Sequence, residues 1–263
     1  MAHSAWGTQS WHEGDLREAV TSLDRAVELL GDWHSLLTES GSPNGLVEAG
    51  LLARGFQVIV HELAGQPLGS RSQLLAMAAA PLAPYQLLTV WVSEAVGSMF
   101  GGDNERAIVA GSHAVELALG EQFEFFRSAG VCVLGSATIA AGRPAEGLEV
   151  LDRGIAQYRP LGVLTILPYY LSMRAEGHLA LGDLDAAKLA IDDAMAVLEQ
   201  SGEGWPVPFV RCTAAALEHA MGAPAAAVTE QLRQARDLAV AQGAMAAADR
   251  VTARAARLGL SLD

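Results

Sequence analysis

Apolar residues between Leu167 and Gln200 recur at helical rather than alternating spacing. Leu171, Ala175 and Leu179 form one stripe. Leu184, Ala187, Ile191, Ala194 and Leu198 form a second, and Asp185, Lys188, Asp192 and Asp193 fall largely off it. Gly182 and Asp183 stand between the stripes. A glycine there can take the left-handed conformation that ends a helix, and an aspartate can cap the next one. Pro168 suits a first helical turn, where its missing N–H would have no partner. The stretch predicts two helices joined by a tight turn. Neither can bury its stripe alone, so neighbours of the same kind are required.

The pattern recurs. Small-residue turns stand at Gly14-Asp15, Gly65-Gln66-Pro67, Gly102-Asp103-Asn104, Gly142-Arg143-Pro144, Gly182-Asp183 and Gly222-Ala223-Pro224. Successive turn glycines are 51, 37, 40, 40 and 40 residues apart. The long first interval is explained by a loop over 31–45, rich in Gly, Ser, Pro and Asn. The spacing predicts a single all-α superhelical domain over 1–263, with essentially no sheet. Its hairpins fall at 2–30, 46–80, 84–119, 122–158, 167–200 and 205–242. A last helix over 244–258 carries Arg250, Arg254 and Arg257 on one face and Ala247, Val251, Ala255 and Leu258 on the other, as a C-terminal cap would. No such cap precedes the first hairpin. Residues 2–30 are therefore expected to have one neighbour and an exposed apolar edge. That edge implies a preceding domain in a longer protein, or a homodimer formed through the first repeat.

Composition narrows the partners. A net charge of −13 and a pI near 4.9 disfavour contact with nucleic acid, whose binding rests on Lys and Arg at phosphates, and with an anionic membrane. Ser72–Ser93 is uncharged, but Pro81 and Pro84 divide it into pieces shorter than the ~20 residues a span needs. The first residues lack a basic segment followed by an apolar one, so no signal peptide is read and a cytoplasmic location is expected. Cys132 and Cys212 fall on helices of hairpins two apart, too far for a disulfide, and are expected to be free buried thiols.

Trp6-Gly7, Gly14, Ala19, Leu23 and Ala26 resemble the tetratricopeptide pattern, as do Leu134-Gly135, Gly142, Leu151 and Gly154, and Gly182, Ala187, Ile191 and Ala194. The period near 40 is longer than the usual ~34. The wording from Gly162 to Trp205, and the ending from Gln231 to Leu258, resemble the C-terminal helical region of large actinobacterial signalling proteins. In that family a nucleotide cyclase or a LuxR-type DNA-binding domain and a STAND ATPase precede the helical array. Trp205 matches a family tryptophan, whereas Pro206, Val207, Pro208 and Phe209 replace the charged residues that usually follow it. The resemblance implies a tetratricopeptide-like (TPR-like) array serving signal transduction or transcriptional regulation.

Catalytic signatures are missing from the sequence. Lys188 is the only lysine and lies mid-helix, so there is no phosphate loop. No histidine has a second His or Cys at the spacing of two metal ligands on one helix face. His219 follows Cys212 by seven residues, about 10 Å along a helix, too far for a direct nucleophile–base pair. The chain is read as a non-enzyme without cofactor or metal. In tetratricopeptide arrays the first helix of each hairpin lines the concave surface. Counted in that register, the groove residues are Trp11, His12, Met99, Ser136, Tyr169, Ser172, Glu176 and Phe209. Arg174 could anchor an anion in the groove or pair with a carboxylate on an adjacent helix. The groove would take a protein, a peptide or a small molecule. Three classes follow: an interaction or ligand-sensing module, a fragment of a larger cyclase-like or ATPase regulator, and a structural scaffold.

Overall fold

A recurring backbone device builds the chain. At each of the six turns the glycine takes a φ between +68° and +89°, and its N–H donates to the carbonyl three residues back, as Gly14 does to Trp11 and Gly182 to Leu179. The next N–H reaches five residues back: Asp15 to Ser10, Gln66 to His61, Asp103 to Ser98, Arg143 to Thr138, Asp183 to His178 and Ala223 to Glu218. These bonds satisfy the carbonyls left over at a helix end. Asp15, Asp103 and Asp183 then accept from the N–H three residues on, which starts the next helix. At Pro144 a proline in the first turn takes over that start.

In this computed structural model residues 1–31, 44–68, 71–78, 82–119 and 123–263 are described. Five hairpins pair α1 (Ala2–Glu13) with α2 (Leu16–Leu30), α3 (Asn44–Leu63) with α4 (Arg71–Ala78), α5 (Pro84–Phe100) with α6 (Asn104–Leu119), α7 (Glu124–Ala140) with α8 (Pro144–Tyr158), and α9 (Leu167–Ala180) with α10 (Leu184–Ser201). A sixth pairs α11 (Val207–Ala220) with α12 (Ala225–Gln242), and α13 (Met245–Arg257) follows. The chain is an α–α superhelix of TPR-like hairpins with a C-terminal helix, and no strand occurs among the described residues. The loop expected over 31–45 lies, from 32 to 43, outside them. No helix among them is long and apolar enough to cross a membrane.

Small residues set the spacing between helices. Ala187, Ala190 and Ala194 are fully buried along α10. A methyl added at Gly135 of α7 would lie 2.5 Å from the Leu151 backbone nitrogen of α8, and one at Gly154 would lie 2.8 Å from the Cys132 nitrogen. Both cysteines are free and buried, and burial pushes both thiols up from their ordinary pKa.

The first hairpin has a second set of neighbours, contrary to the sequence expectation. The superhelix curls until its start meets its end. The Arg17 guanidinium donates to the carbonyls of Ala241 and Val240, at 2.7 and 2.8 Å, where α12 ends. The Gly204 N–H donates to the His12 carbonyl at 2.7 Å. Buried Glu203 accepts from the Trp205 indole and lies 3.1 Å from His12 Nδ1. A third contact at Glu203 comes from the N–H of Ile166, a β-branched residue strained at φ 67°. The Trp11 ring stacks on Trp205 with centroids 5.6 Å apart. The first hairpin therefore packs on the last turns of the array, while Trp6 and Leu29 stay 60% exposed. Sequence periodicity reports which face is apolar. It does not report superhelical pitch, which decides whether two ends meet.

Candidate functional site

Curling brings the first helices of the hairpins around a common axis, and large side chains fill one end of it. Trp11, Phe100, Tyr169, Trp205 and Phe209 are each at most 5% exposed. Phe100 lies edge-on to Tyr169 and to Trp205, with centroids 5.0 Å apart in both pairs, and Tyr169 is 5.2 Å from Phe209. Such tilted aromatic contacts stabilise beyond the area they bury. These rings fill that end of the axis.

Above the plug lies a pocket of about 630 Å³, within the range typical of small-molecule sites. The lining of its floor includes Met99, Phe100, Tyr169, Met173 and Phe209. Ser136 of α7 and Glu176 of α9 stand in its wall, and α13 supplies Arg250, Arg254 and Arg257. Along α9 the lining residues are Tyr169, Met173, Glu176 and Ala180, a single helical row at steps of four, three and four.

Charge is concentrated on one wall. The Glu176 side chain is 11% exposed and meets Arg254 through both carboxylate oxygens. Arg250 lies 3.7 Å from it, and the Thr213 hydroxyl donates to it at 2.8 Å. Burial raises the Glu176 pKa, but Arg250, Arg254 and the Thr213 hydrogen bond outweigh it and hold the carboxyl below its ordinary value. Arg250 has softer partners. It donates to the Tyr169 hydroxyl at 3.1 Å and the Met173 sulfur at 3.0 Å, and lies 5.9 and 5.7 Å from the ring centres of Tyr169 and Phe209. The buried Ser136 Oγ in the lining has no hydrogen-bond partner. Among the described residues no three His, Cys, Asp or Glu side chains are grouped as a metal site.

Of the eight residues expected in the groove, Met99, Ser136, Tyr169, Glu176 and Phe209 meet in this pocket. Trp11, His12 and Ser172 do not, and neither does Arg174; His12 faces Glu203 instead. Trp11 is committed to the plug. Ser172 lies off the α9 row, and its hydroxyl donates to the Tyr169 carbonyl at 2.7 Å. Arg174 lies still further round the helix and pairs with Asp152 of α8 at 2.7 Å, the structural partnership that its sequence context allowed. The three arginines of α13 were missed because they were read as the polar outer face of a cap. Their signal was present, since a spacing of four and three puts all three on one face.

No protein-family model matches the chain, and neither does any curated protein. Among solved structures it is similar to a kinesin light chain with nearly identical TPR-like repeats from Podosopora anserina. That match is 17% identical, covers 76% of this chain and 95% of the other, and has a TM-score of 0.49. It is also similar to aspartyl phosphate phosphatase F from Bacillus subtilis, at 14% identity over 94% of this chain and 66% of the other, with a TM-score of 0.49. At such identities and scores neither likeness says what this chain binds.

Proposed function

We propose that this chain is a non-enzymatic ligand-sensing module whose site is the axial pocket. The observation that carries the reading is the origin of the lining: α5, α7, α9, α11 and α13 each contribute side chains to one cavity. An occupant would touch elements that are brought together only when the superhelix is curled. It would therefore bind the curled form better than an opened one, and a ligand shifts an equilibrium only through such a difference. The sequence resemblance to the helical regions of actinobacterial regulators fits this role, with the output carried by domains outside the chain. The filled end of the axis favours a small molecule over an extended peptide.

The test uses a blocked pocket. Ala180 is exposed on the pocket wall, so Ala180→Trp fills the mouth while leaving the core untouched. Ligand-observed NMR with a library of small acids, amines and neutral compounds should give hits on the wild type that vanish in Ala180→Trp. The same hits should persist in Lys188→Ala, which removes only an exposed pair with Asp192 on α10. Hits that survive in Ala180→Trp would place binding elsewhere and end the reading.

A further inference from the structure

We infer that the occupant of the axial pocket is a small organic acid: a carboxylate seated on Arg250 and Arg254, with an apolar body on the aromatic floor. This rests on the reading of the pocket as a binding site and adds the chemistry of the ligand.

Around Glu176 the cations outnumber the carboxylates. Two arginines, with side chains 25% and 14% exposed, share one carboxylate, that of Glu176. Glu176 is held closely by Arg254 and by Thr213, and its distance to Arg250 is beyond hydrogen-bond range. The hydrogen bonds of Arg250 itself go to a neutral hydroxyl and a thioether, the latter a weak acceptor. A largely buried cation with such partners is costly unless a counter-charge arrives. Of the other acids of the lining, Asp249 is exposed, as is Arg257, one charge of each sign, and Glu62 is buried against Gly101.

Two poorly partnered groups point the same way. Beyond Glu176, Arg254 has only the buried Cys212 thiol, a weak acceptor, and the Ser136 hydroxyl, on a residue 0% exposed, has no partner. A carboxylate accepts from both kinds of group. Guanidinium groups are matched in shape to a carboxylate, which can take two parallel N–H bonds. Phosphate fits less well, because the floor consists of Met99, Phe100, Tyr169, Met173 and Phe209. That surface rewards an apolar body and offers a bare oxyanion nothing.

Isothermal titration with four probes tests this: 3-phenylpropanoate, its neutral amide, acetate and inorganic phosphate. The phenyl acid should bind and raise the melting temperature. Loss of the charge should weaken the amide by about tenfold or more, the scale of hydrogen bonds to a charged group, and acetate and phosphate should bind no better than the amide. Arg250→Gln should abolish the preference for acid over amide. If that variant does not fold, Ser136→Ala, which removes only the orphan hydroxyl, should weaken the acid while leaving the melting temperature of the free protein unchanged or raised. Equal binding of acid and amide, blocked by Ala180→Trp, would overturn the acid inference and leave the pocket reading standing. Preference for phosphate would overturn the apolar body. Failure of both phenyl compounds to bind would overturn the inference and count against the pocket.

Discussion

Glu176→Gln removes a single negative charge from between two guanidiniums and changes almost nothing in shape. Breaking a buried ion pair by deleting one partner costs about 3–5 kcal/mol, because the other charge is left without compensation. The lower end applies here, about 3 kcal/mol, since the pocket admits solvent to Arg250 and Arg254. Arg254→Gln is the comparison. It leaves the carboxylate with Thr213 at 2.8 Å and Arg250 at 3.7 Å, so the expected loss is smaller, about 1–2 kcal/mol. Urea denaturation at neutral pH measures both, urea being chosen because it does not screen charge. The order is the decisive result: an Arg254→Gln loss equal to or above that of Glu176→Gln would refute the idea that positive charge is in excess. The effect also has a pH signature. Because the folded-state pKa of Glu176 lies below the unfolded value, its stabilisation is complete above about pH 4.3, the ordinary carboxylate value. It is lost as pH falls through the lower folded value. The gap between wild type and Glu176→Gln should close in acid, and a gap that widened there would contradict the assignment.

Two further outcomes test the architecture. Gly135→Ala places a methyl 2.5 Å from the Leu151 nitrogen and should destabilise by about 1–2 kcal/mol, overpacking outweighing the gain in helix propensity. The same urea assay measures it. Arg17→Ala removes both bonds onto the end of α12, so amide exchange over residues 2–30 should quicken while that of 167–200 stays unchanged. Unaltered exchange in the first hairpin would mean that the closing contacts carry no stability.

The hairpins were legible in the sequence because their signals are local. A turn glycine needs positive φ, an aspartate caps the helix after it, and a stripe repeats every three or four residues. These causes act within a few residues, so they are written contiguously. Superhelical closure has no such local cause. It depends on small rotations accumulated from one hairpin to the next, set by contacts as fine as Gly135 against Leu151 and Gly154 against Cys132. The expectation of a first repeat with a single neighbour failed for that reason, and the placement of Trp11 failed with it.

Closure also explains why the α13 arginines were misread. In an open array the polar face of a last helix meets water, and Arg250, Arg254 and Arg257 would be ordinary solubilising residues. In a curled array the same helix completes a ring of first helices, and its polar face turns inward over Tyr169 and Phe209. A cap needs only a polar face, which lysine or glutamate could equally provide. Arginine at both inward positions is a narrower choice: its planar guanidinium can lie on an aromatic ring and still donate to an oxygen at its edge. Arg250 does both with Tyr169. The chemistry of this helix therefore suits a wall of the proposed site as well as the end of an array.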